Sequence, residues 1–514
     1  MKKILKPKYI NDTALDILRR EGVFLCADCG GRGTCGRCRI KVTDSSCTDI
    51  SEAERKILSD REIAQGIRLA CCTKVGEMQK TSRQDISMEV EIPASSLIHD
   101  GFCGDTSDAV TMPEPLRSSE IIAVDYGTTV ISGAVVDLNR GITSEASVVN
   151  HQKAYGADVI SRIRAANDGY NEELRHASED DLAELSVRLG KDPDRARYII
   201  SGNTVMGHLI SGFSCKGLGE YPYTPVDISL RRDGNLTFLP GISAFVGADI
   251  VSGICACSLD QATEPWLYVD IGTNGEMALG TGDRIIAASA PAGPAFEGGN
   301  LSCGVPALPG AICSVIITGS RSIPSVIESG SPVSGSIEDE DVKLAKAGQS
   351  SKPSGICGSG VTDALAELLR NRIIDENGTL AEEYAEEGFP VAGNVLLTQK
   401  DIREIQKAKA AIRAGMEILI AKSGVKKKDI RKLVIAGSFG SSINMDNAAK
   451  IGLIPDELLP VSATAGNASL TGATLYALDT GFGARLVKAA GEAETVDLSE
   501  TSDFSARYIS YMGF

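Results

Sequence analysis

Ile122–Val130 reads IAVDYGTTV and Tyr268–Glu276 reads YVDIGTNGE, so the phrase V-D-x-G-T recurs about 145 residues further along the chain. Each copy is an apolar run that ends in Asp, turns through Gly-Thr and resumes as a second apolar run, ISGAVVDL after the first and MALG after the second. The residue types suit phosphate. Glycine lets backbone N–H groups approach phosphate oxygens, threonine adds a hydroxyl donor, and Asp at a strand end can hold magnesium through water. One copy alone reads first as an ordinary hairpin whose Asp-x-Gly makes a turn. Two copies facing each other across a cleft make a clamp on a polyphosphate.

Outward from the pair, the chain after Ile121 has α/β texture: apolar runs end in glycine turns and alternate with helical periods. Lys432–Gly440 (KLVIAGSFG) is a strand running into a glycine turn and then a helix. Tyr198–Met206 (YIISGNTVM) and Gly355–Gly360 (GICGSG) also place glycine turns before helices, where amide donors and the dipole favour anions. There is no G-x-x-x-x-G-K-[ST], which excludes a P-loop as the nucleotide site. The clearest helix follows Thr398, with Ile402, Ile405, Ile412, Met416, Leu419 and Ile420 on one side and Gly424 beyond its end. His208 and Trp266 read as core packing, and Ser178–Glu184 reads as a solvated helix face. The Ser-rich stretch from Gly319 to Ser354 reads as short surface strands and loops.

The whole chain has 514 residues, long enough for about three domains. Lys and Arg number 52 against 68 Asp and Glu, a net charge of −16 that argues against a phosphate-backbone-binding face, so nucleic acid is not an expected partner. The N-terminus lacks the apolar core of a signal peptide, and no run of about 18 apolar residues suggests a membrane span. The 14 cysteines then point to a reducing compartment, the cytoplasm.

Those cysteines crowd the front. Cys26–Cys38 reads CADCGGRGTCGRC. Structural zinc sites separate their CxxC pairs by about a dozen residues or more. Here five residues lie between Cys29 and Cys35, three of them glycine, a loop that turns backbone N–H groups toward sulfur and suits an iron–sulfur cluster. Around the loop, Asp12 is expected to cap a helix bearing Ala14, Leu15 and Leu18 that ends at Gly22, Arg39–Val42 alternates like a strand, and Ser51 with Glu54 makes a capping box. Residues 80–118 read as a linker with one strand-like run, Met88–Ile92.

CGGRGTCGRC followed by RLAC resembles the [2Fe-2S] ferredoxin domains, a β-grasp fold. The resemblance implies Cys29, Cys35, Cys38 and Cys71 as cluster ligands, with Cys26 and Cys72 as bystanders or substitutes for Cys71. The duplicated V-D-x-G-T resembles the actin, hexokinase and heat-shock-chaperone ATPases, in which nucleotide lies between two halves. That implies an α/β fold of duplicated ribonuclease-H-like, ASKHA-type ATPase domains behind a small α+β ferredoxin domain. Candidate catalytic carboxylates are Asp125, Asp270 and Glu276. Candidate contacts to ATP and Mg2+ are Gly127, Thr128, Thr129, Gly202, Asn203, Thr204, Gly272, Thr273, Asn274, Gly275, Gly437, Ser438, Phe439 and Gly440.

The combination, with GADVISRI at Gly156–Ile163, SGNTVMGHL at Ser201–Leu209, AGPAFEGG at Ala292–Gly299 and GICGSG, resembles the reductive activators of corrinoid-dependent methyltransferases. The resemblance implies ATP-dependent, one-electron reduction of inactive Co(II) corrinoid to Co(I), a low-potential electron donor, a corrinoid protein as partner and a homodimer. Phe296 and Glu297 are the expected partner contacts. The expected domains are 1–82 (ferredoxin-like), 83–118 (linker), 119–200 (middle, the first half of the actin-like fold) and 201–514 (C-terminal ATPase). The rival readings are a small-molecule kinase of the same superfamily, which leaves the cysteine loop unexplained, an activator of radical dehydratases or aryl-CoA reductases, and a chaperone-like or redox-sensing module.

Overall fold

The computed structural model of the protein describes residues 2–7, 12–20, 23, 25, 29, 31–43, 49–75, 87–93, 121–319, 321–327, 353–437, 443–501 and 503–514. The front sheet has the order Lys2–Leu5, Met88–Glu91, Arg39–Val42, Ile67–Leu69, each neighbouring pair antiparallel. Helix Ala14–Arg20 packs Leu15, Ile17 and Leu18 into one core with Leu5, Ile40, Leu69 and Val90. Each such side chain contributes about 1.5–3 kcal/mol by leaving water. Thr13, not Asp12, opens this helix: its hydroxyl accepts from the Asp16 amide at 3.2 Å, and its own amide donates to Asp16 Oδ2 at 3.2 Å. Gly22, the expected end of the helix, lies outside the described residues.

Two expected borders move. Met88–Glu91 belongs to the front sheet, between Lys2–Leu5 and Arg39–Val42, because its alternation buries Met88 and Val90 in the front core. The front domain therefore runs past residue 82 into the segment expected as linker. The border at residue 200 falls inside strand Arg197–Gly202, which pairs with Ile121–Tyr126 on one side and Leu236–Phe238 on the other.

The two large sheets repeat one topology. The first runs Gly141–Val149, Val130–Asp137, Ile121–Tyr126, Arg197–Gly202, Leu236–Phe238, Arg231–Asp233. In the second the order is Glu494–Thr495, Ile285–Ala290, Gly275–Gly280, Trp266–Ile271, Lys432–Ala436, Ser462–Gly466. In both, the strand ending in the V-D-x-G-T turn sits in the middle, antiparallel to the next strand in sequence and parallel to a later one. Between the sheets, Ala123, Ala134, Tyr268, Ala278 and Val434 form a core with Ile250, Val251 and Ile254 of helix Ala248–Ala256 and Ala473 of helix Ala468–Leu478. The small alanines on these sheet faces let the two helices sit close.

The predicted long helix spans Gln399–Ser423, with Thr398 and Asp401 as its capping box and Gly424 ending it at φ 74°. The Ser-rich stretch contributes strand Arg321–Val326, and its residues 328–352 lie outside the described ones. Ser178–Glu184 is only partly a solvated face, because Ser178, Asp181 and Leu182 lie on the buried side of helix Asn171–Arg188. His208 is buried, its Nδ1 bonded to Thr204 O and its Nε2 accepting from Val226 N, as a core histidine. No described helix is long and apolar enough to cross a membrane.

Candidate functional site

In the front domain the cysteine loop is forced into shape by Gly31, Gly33 and Gly36, all at positive φ. A Cβ on Gly33 would stand 2.8 Å from Cys72 Sγ, and one on Gly36 would stand 2.6 Å from Ile57, so side chains are excluded there. Four sulfurs form two pairs: Cys35 and Cys29 are 3.4 Å apart, Cys38 and Cys71 3.5 Å apart. Within each pair one sulfur is held toward thiolate by the other's S–H: the Cys35 thiol brings Cys29 down to about 3, and Cys71 lowers Cys38. The same bonds push the partner thiols of Cys35 and Cys71 up, and the four close, soft sulfurs fit an iron–sulfur cluster. Cys72 lies 3.7 Å from Cys71 at the loop's edge, and Cys26 is outside the described residues.

Across the two large sheets, the two V-D-x-G-T turns face each other, with Thr129 Oγ1 and Thr273 Oγ1 3.4 Å apart. Both hydroxyls donate to Glu297 Oε2, from Thr129 at 2.9 Å and from Thr273 in a shorter bond. A carboxyl group of the chain itself thus sits where both loops offer hydroxyl donors, and burial raises its pKa. Asn203 joins the first turn by donating from Nδ2 to Thr128 Oγ1 at 3.1 Å, while its Oδ1 caps helix Thr204–Ile210. Gly202 lies so close to Tyr126 O that a Cβ would come within 2.7 Å, and the Thr204 hydroxyl donates to Ser243 O. Gly437, at φ 101°, backs onto the second turn, where a Cβ would meet Ile271 O at 2.6 Å and Asp270 Oδ1 at 2.8 Å. Ser438, Phe439 and Gly440 lie outside the described residues.

The cleft is rich in buried carboxylates. Asp125 accepts from Ser469 Oγ at 2.7 Å and Asn467 Nδ2 at 2.8 Å, and Asp270 accepts from the Tyr268 hydroxyl at 3.1 Å. Burial raises Asp125; burial together with Asp249 and Asp125 pushes Asp270 up to about 8. Glu276 is raised by burial, Asp249, Asp270 and Glu297, and its Oε1 is buried without a hydrogen-bond partner. These buried carboxylates disfavour one another's ionisation, and one of them keeps an orphan oxygen.

Of the expected partner contacts, Phe296 is buried and Glu297 is half-buried. Gly293 at φ 77° and Gly298 at φ 79° bend the turn Pro294–Glu297 inward, so that Phe296 is 1% exposed in the main core and Glu297 bridges the two V-D-x-G-T turns. Asp249 was missed: it begins helix Ala248–Ala256, and burial with the nearby Asp125 pushes it up to about 7. Its signal was the tripeptide Gly-Ala-Asp, which occurs at Gly156–Asp158 and again at Gly247–Asp249.

The front domain touches both ATPase-like halves. Arg37, inside the cysteine loop, donates from Nη2 to Leu301 O at 3.5 Å, and the Tyr170 hydroxyl donates to Asp16 Oδ1 at 3.3 Å.

Comparison with known proteins agrees with this layout. Residues 9–76 match the 2Fe-2S iron–sulfur cluster binding domain, 121–262 the RACo middle region, and 264–514 the C-terminal domain of RACo, the ASKHA domain. The corrinoid activation enzyme RamQ of Eubacterium limosum is 33% identical over 404 residues, 70% of this chain and 64% of the relative. The [Co(II) methylated amine-specific corrinoid protein] reductase of Methanosarcina barkeri is 28% identical over 369 residues, 65% of each chain. The chain thus spans just under two thirds of these curated relatives' length. A solved reductive activator for a corrinoid, iron–sulfur protein superimposes with a TM-score of 0.68 at 26% identity, covering 100% of this chain and 98% of that one. With a cluster-binding domain in front and both RACo regions following in order, the chain belongs to the RACo family of ASKHA-domain proteins.

Proposed function

We propose that the protein is an ATP-dependent reductive activator that returns the Co(II) corrinoid of a partner protein in a methyltransferase system to Co(I). The observation that carries this reading is the contact of Arg37 with Leu301. It joins the cysteine loop to the segment whose Glu297 bonds both phosphate turns, so an electron carrier and a nucleotide clamp share one strut. The names of the similar proteins support the same reading.

In this reading Cys29 with Cys35 and Cys38 with Cys71 are the two thiolate pairs that hold a [2Fe-2S] cluster. ATP with Mg2+ lies between the V-D-x-G-T turns. A plant-type cluster supplies single electrons near about −400 mV, and nucleotide supplies the free energy for a step that is uphill at that potential. Co(II) gains one electron and becomes Co(I), and a low-potential donor restores that electron. The chain's own residues do the rest. Thr129 and Thr273, whose hydroxyls bond Glu297 here, would hold phosphate oxygens, and Asp125, Asp270 and Glu276, with Asp249 beside them, would hold the Mg2+ cation. Gly272, Asn274 and Gly275 shape the second turn, and Gly437 brings the adenosine side of the cleft against it. The reading includes a homodimer in the cytoplasm.

The test is anaerobic. Purified protein is expected to show a two-iron visible spectrum and to convert Co(II) to Co(I) on a methyltransferase corrinoid protein only when ATP and a reductant are present. Zinc in place of iron and labile sulfide, or conversion indifferent to ATP, overturns the proposal.

A further inference from the structure

Arg162 heads the largest fully buried side chains among the described residues. Among the described residues its guanidinium hydrogen-bonds no carboxylate, although Asp158, Asp181 and Glu297 act on it through space: Nε donates to Gly156 O at 2.9 Å, Nη1 to Gln152 Oε1 at 3.3 Å and Met206 Sδ at 3.1 Å, and Nη2 to Thr128 O at 2.5 Å. Burying a charge without a hydrogen-bonded ion partner is costly, so the position needs a reason. Beside it, Asn150 is fully buried and donates from Nδ2 to Gly127 O at 2.8 Å and from its backbone N–H to Thr129 O at 3.0 Å. The carbonyls of Gly127, Thr128 and Thr129 are thus each taken by donors from the same two residues.

A trans peptide points its N–H opposite to its C=O. Holding the carbonyls of Gly127 and Thr128 therefore fixes the amides of Thr128 and Thr129 on the other side of the turn. A side chain on Gly127 would spoil this, since a Cβ there would come within 2.5 Å of Val130 O. Asn150 is locked in turn, because its Oδ1 accepts from Gln152 N at 3.0 Å, and Gln152 Nε2 donates to Leu174 O and Ser178 Oγ. The tether is anchored in the body of the first half, on helix Asn171–Arg188.

We propose that Asn150 and Arg162 are positioning residues of the first phosphate turn: they pull its carbonyls back so that its amides present to the phosphates of a nucleoside triphosphate, and Arg162 adds a fixed positive charge behind that anion site. This inference rests on the nucleotide reading above. Preorganised amides need no rearrangement when the anion arrives, which is where such donors gain their strength.

The test uses the full chain with its cluster, in the variants Asn150→Ala and Arg162→Lys. Arg162→Lys keeps the charge but loses the fork that reaches Gly156, Gln152 and Thr128 together. Backbone hydrogen exchange without nucleotide is expected to quicken at residues 127–131 and to stay unchanged at the second turn, residues 271–275. Calorimetric affinity for ATP is expected to weaken by about tenfold or more, the scale of one lost preorganised donor set. Arg162→Lys that matches wild type in both exchange and affinity overturns the tether for Arg162, and the same result for Asn150→Ala overturns it for Asn150. Exchange that quickens equally at both turns shows a general loosening and also overturns it. A wild-type chain that binds no ATP instead overturns the nucleotide reading itself.

Discussion

Asp270 and Asp249 carry the pH behaviour of the cleft. Burial, helped by neighbouring carboxylates, holds their folded values at about 8 and about 7, whereas in an unfolded chain an aspartate titrates near about 4. Between those values the folded state binds more protons than the unfolded one, so the contribution of these two groups is fully present below about pH 4 and is lost as pH rises toward 8. A divalent cation reverses the preference by displacing the protons. Binding of Mg2+ with ATP at pH 7 is therefore expected to release protons and to tighten as pH rises through 7 to 8. Calorimetry in two buffers of different ionisation heat reads the release directly, and a heat independent of buffer refutes it. The places of Asp125 and Asp270 in the cleft were legible because the duplicated turn marks them, and Glu276 follows the second copy. Asp249 was not: it reaches the cleft from a helix start more than a hundred residues from the first turn, and no local pattern states that approach.

Among elements, the capping box of helix Glu52–Ile57 shows how far a sequence signal goes. Ser51 and Glu54 do cap the helix, yet the Glu54 carboxylate also receives Arg68 Nε at 2.8 Å and Nη2 at 2.9 Å and the Leu69 amide at 3.0 Å. That ties the helix to the strand leading into Cys71. Burial alone would raise Glu54, but the Arg68 guanidinium and the Leu69 and Ser51 amides bring it below the ordinary value. Its contribution to stability is present above the unfolded carboxylate range and is lost as pH falls through the folded value. Glu54→Gln breaks the buried Glu54–Arg68 ion pair and is expected to cost about 3–5 kcal/mol at neutral pH, with the gap to wild type closing in acid. Denaturant titrations of both proteins at several pH values measure it, and a gap that does not narrow contradicts the assignment. Strand Met88–Glu91 teaches the same limit. Its alternation is legible as a strand, but its neighbours Lys2–Leu5 and Arg39–Val42 come from distant segments, so from sequence it reads as part of a linker.

At the scale of the molecule, the duplication was legible because one phrase occurs twice and each copy dictates the same local hairpin, from which the two matching sheets follow. Where the front domain sits was not legible, because among the described residues it involves polar contacts between segments far apart in sequence. Those contacts are Arg37 with Leu301 and Tyr170 with Asp16, and the first is reinforced from below: Asp401, at the cap of helix Gln399–Ser423, accepts from Ser302 N and Ser302 Oγ, each at 2.6 Å, fixing the residue after Leu301. The cysteine loop thus rests on a segment pinned at one end by the long helix and at the other by Glu297 between the phosphate turns. If this strut transmits nucleotide state, weakening it should separate the two activities it joins. The double variant Arg37→Ala with Tyr170→Phe removes two bonds, each worth about 0.5–1.5 kcal/mol, and is expected to slow ATP-dependent Co(II) reduction by about tenfold while the iron content and visible spectrum of the front domain persist. Stopped-flow reduction measured at matched iron loading decides the matter, and a rate equal to wild type would show that the front domain delivers its electron without this contact.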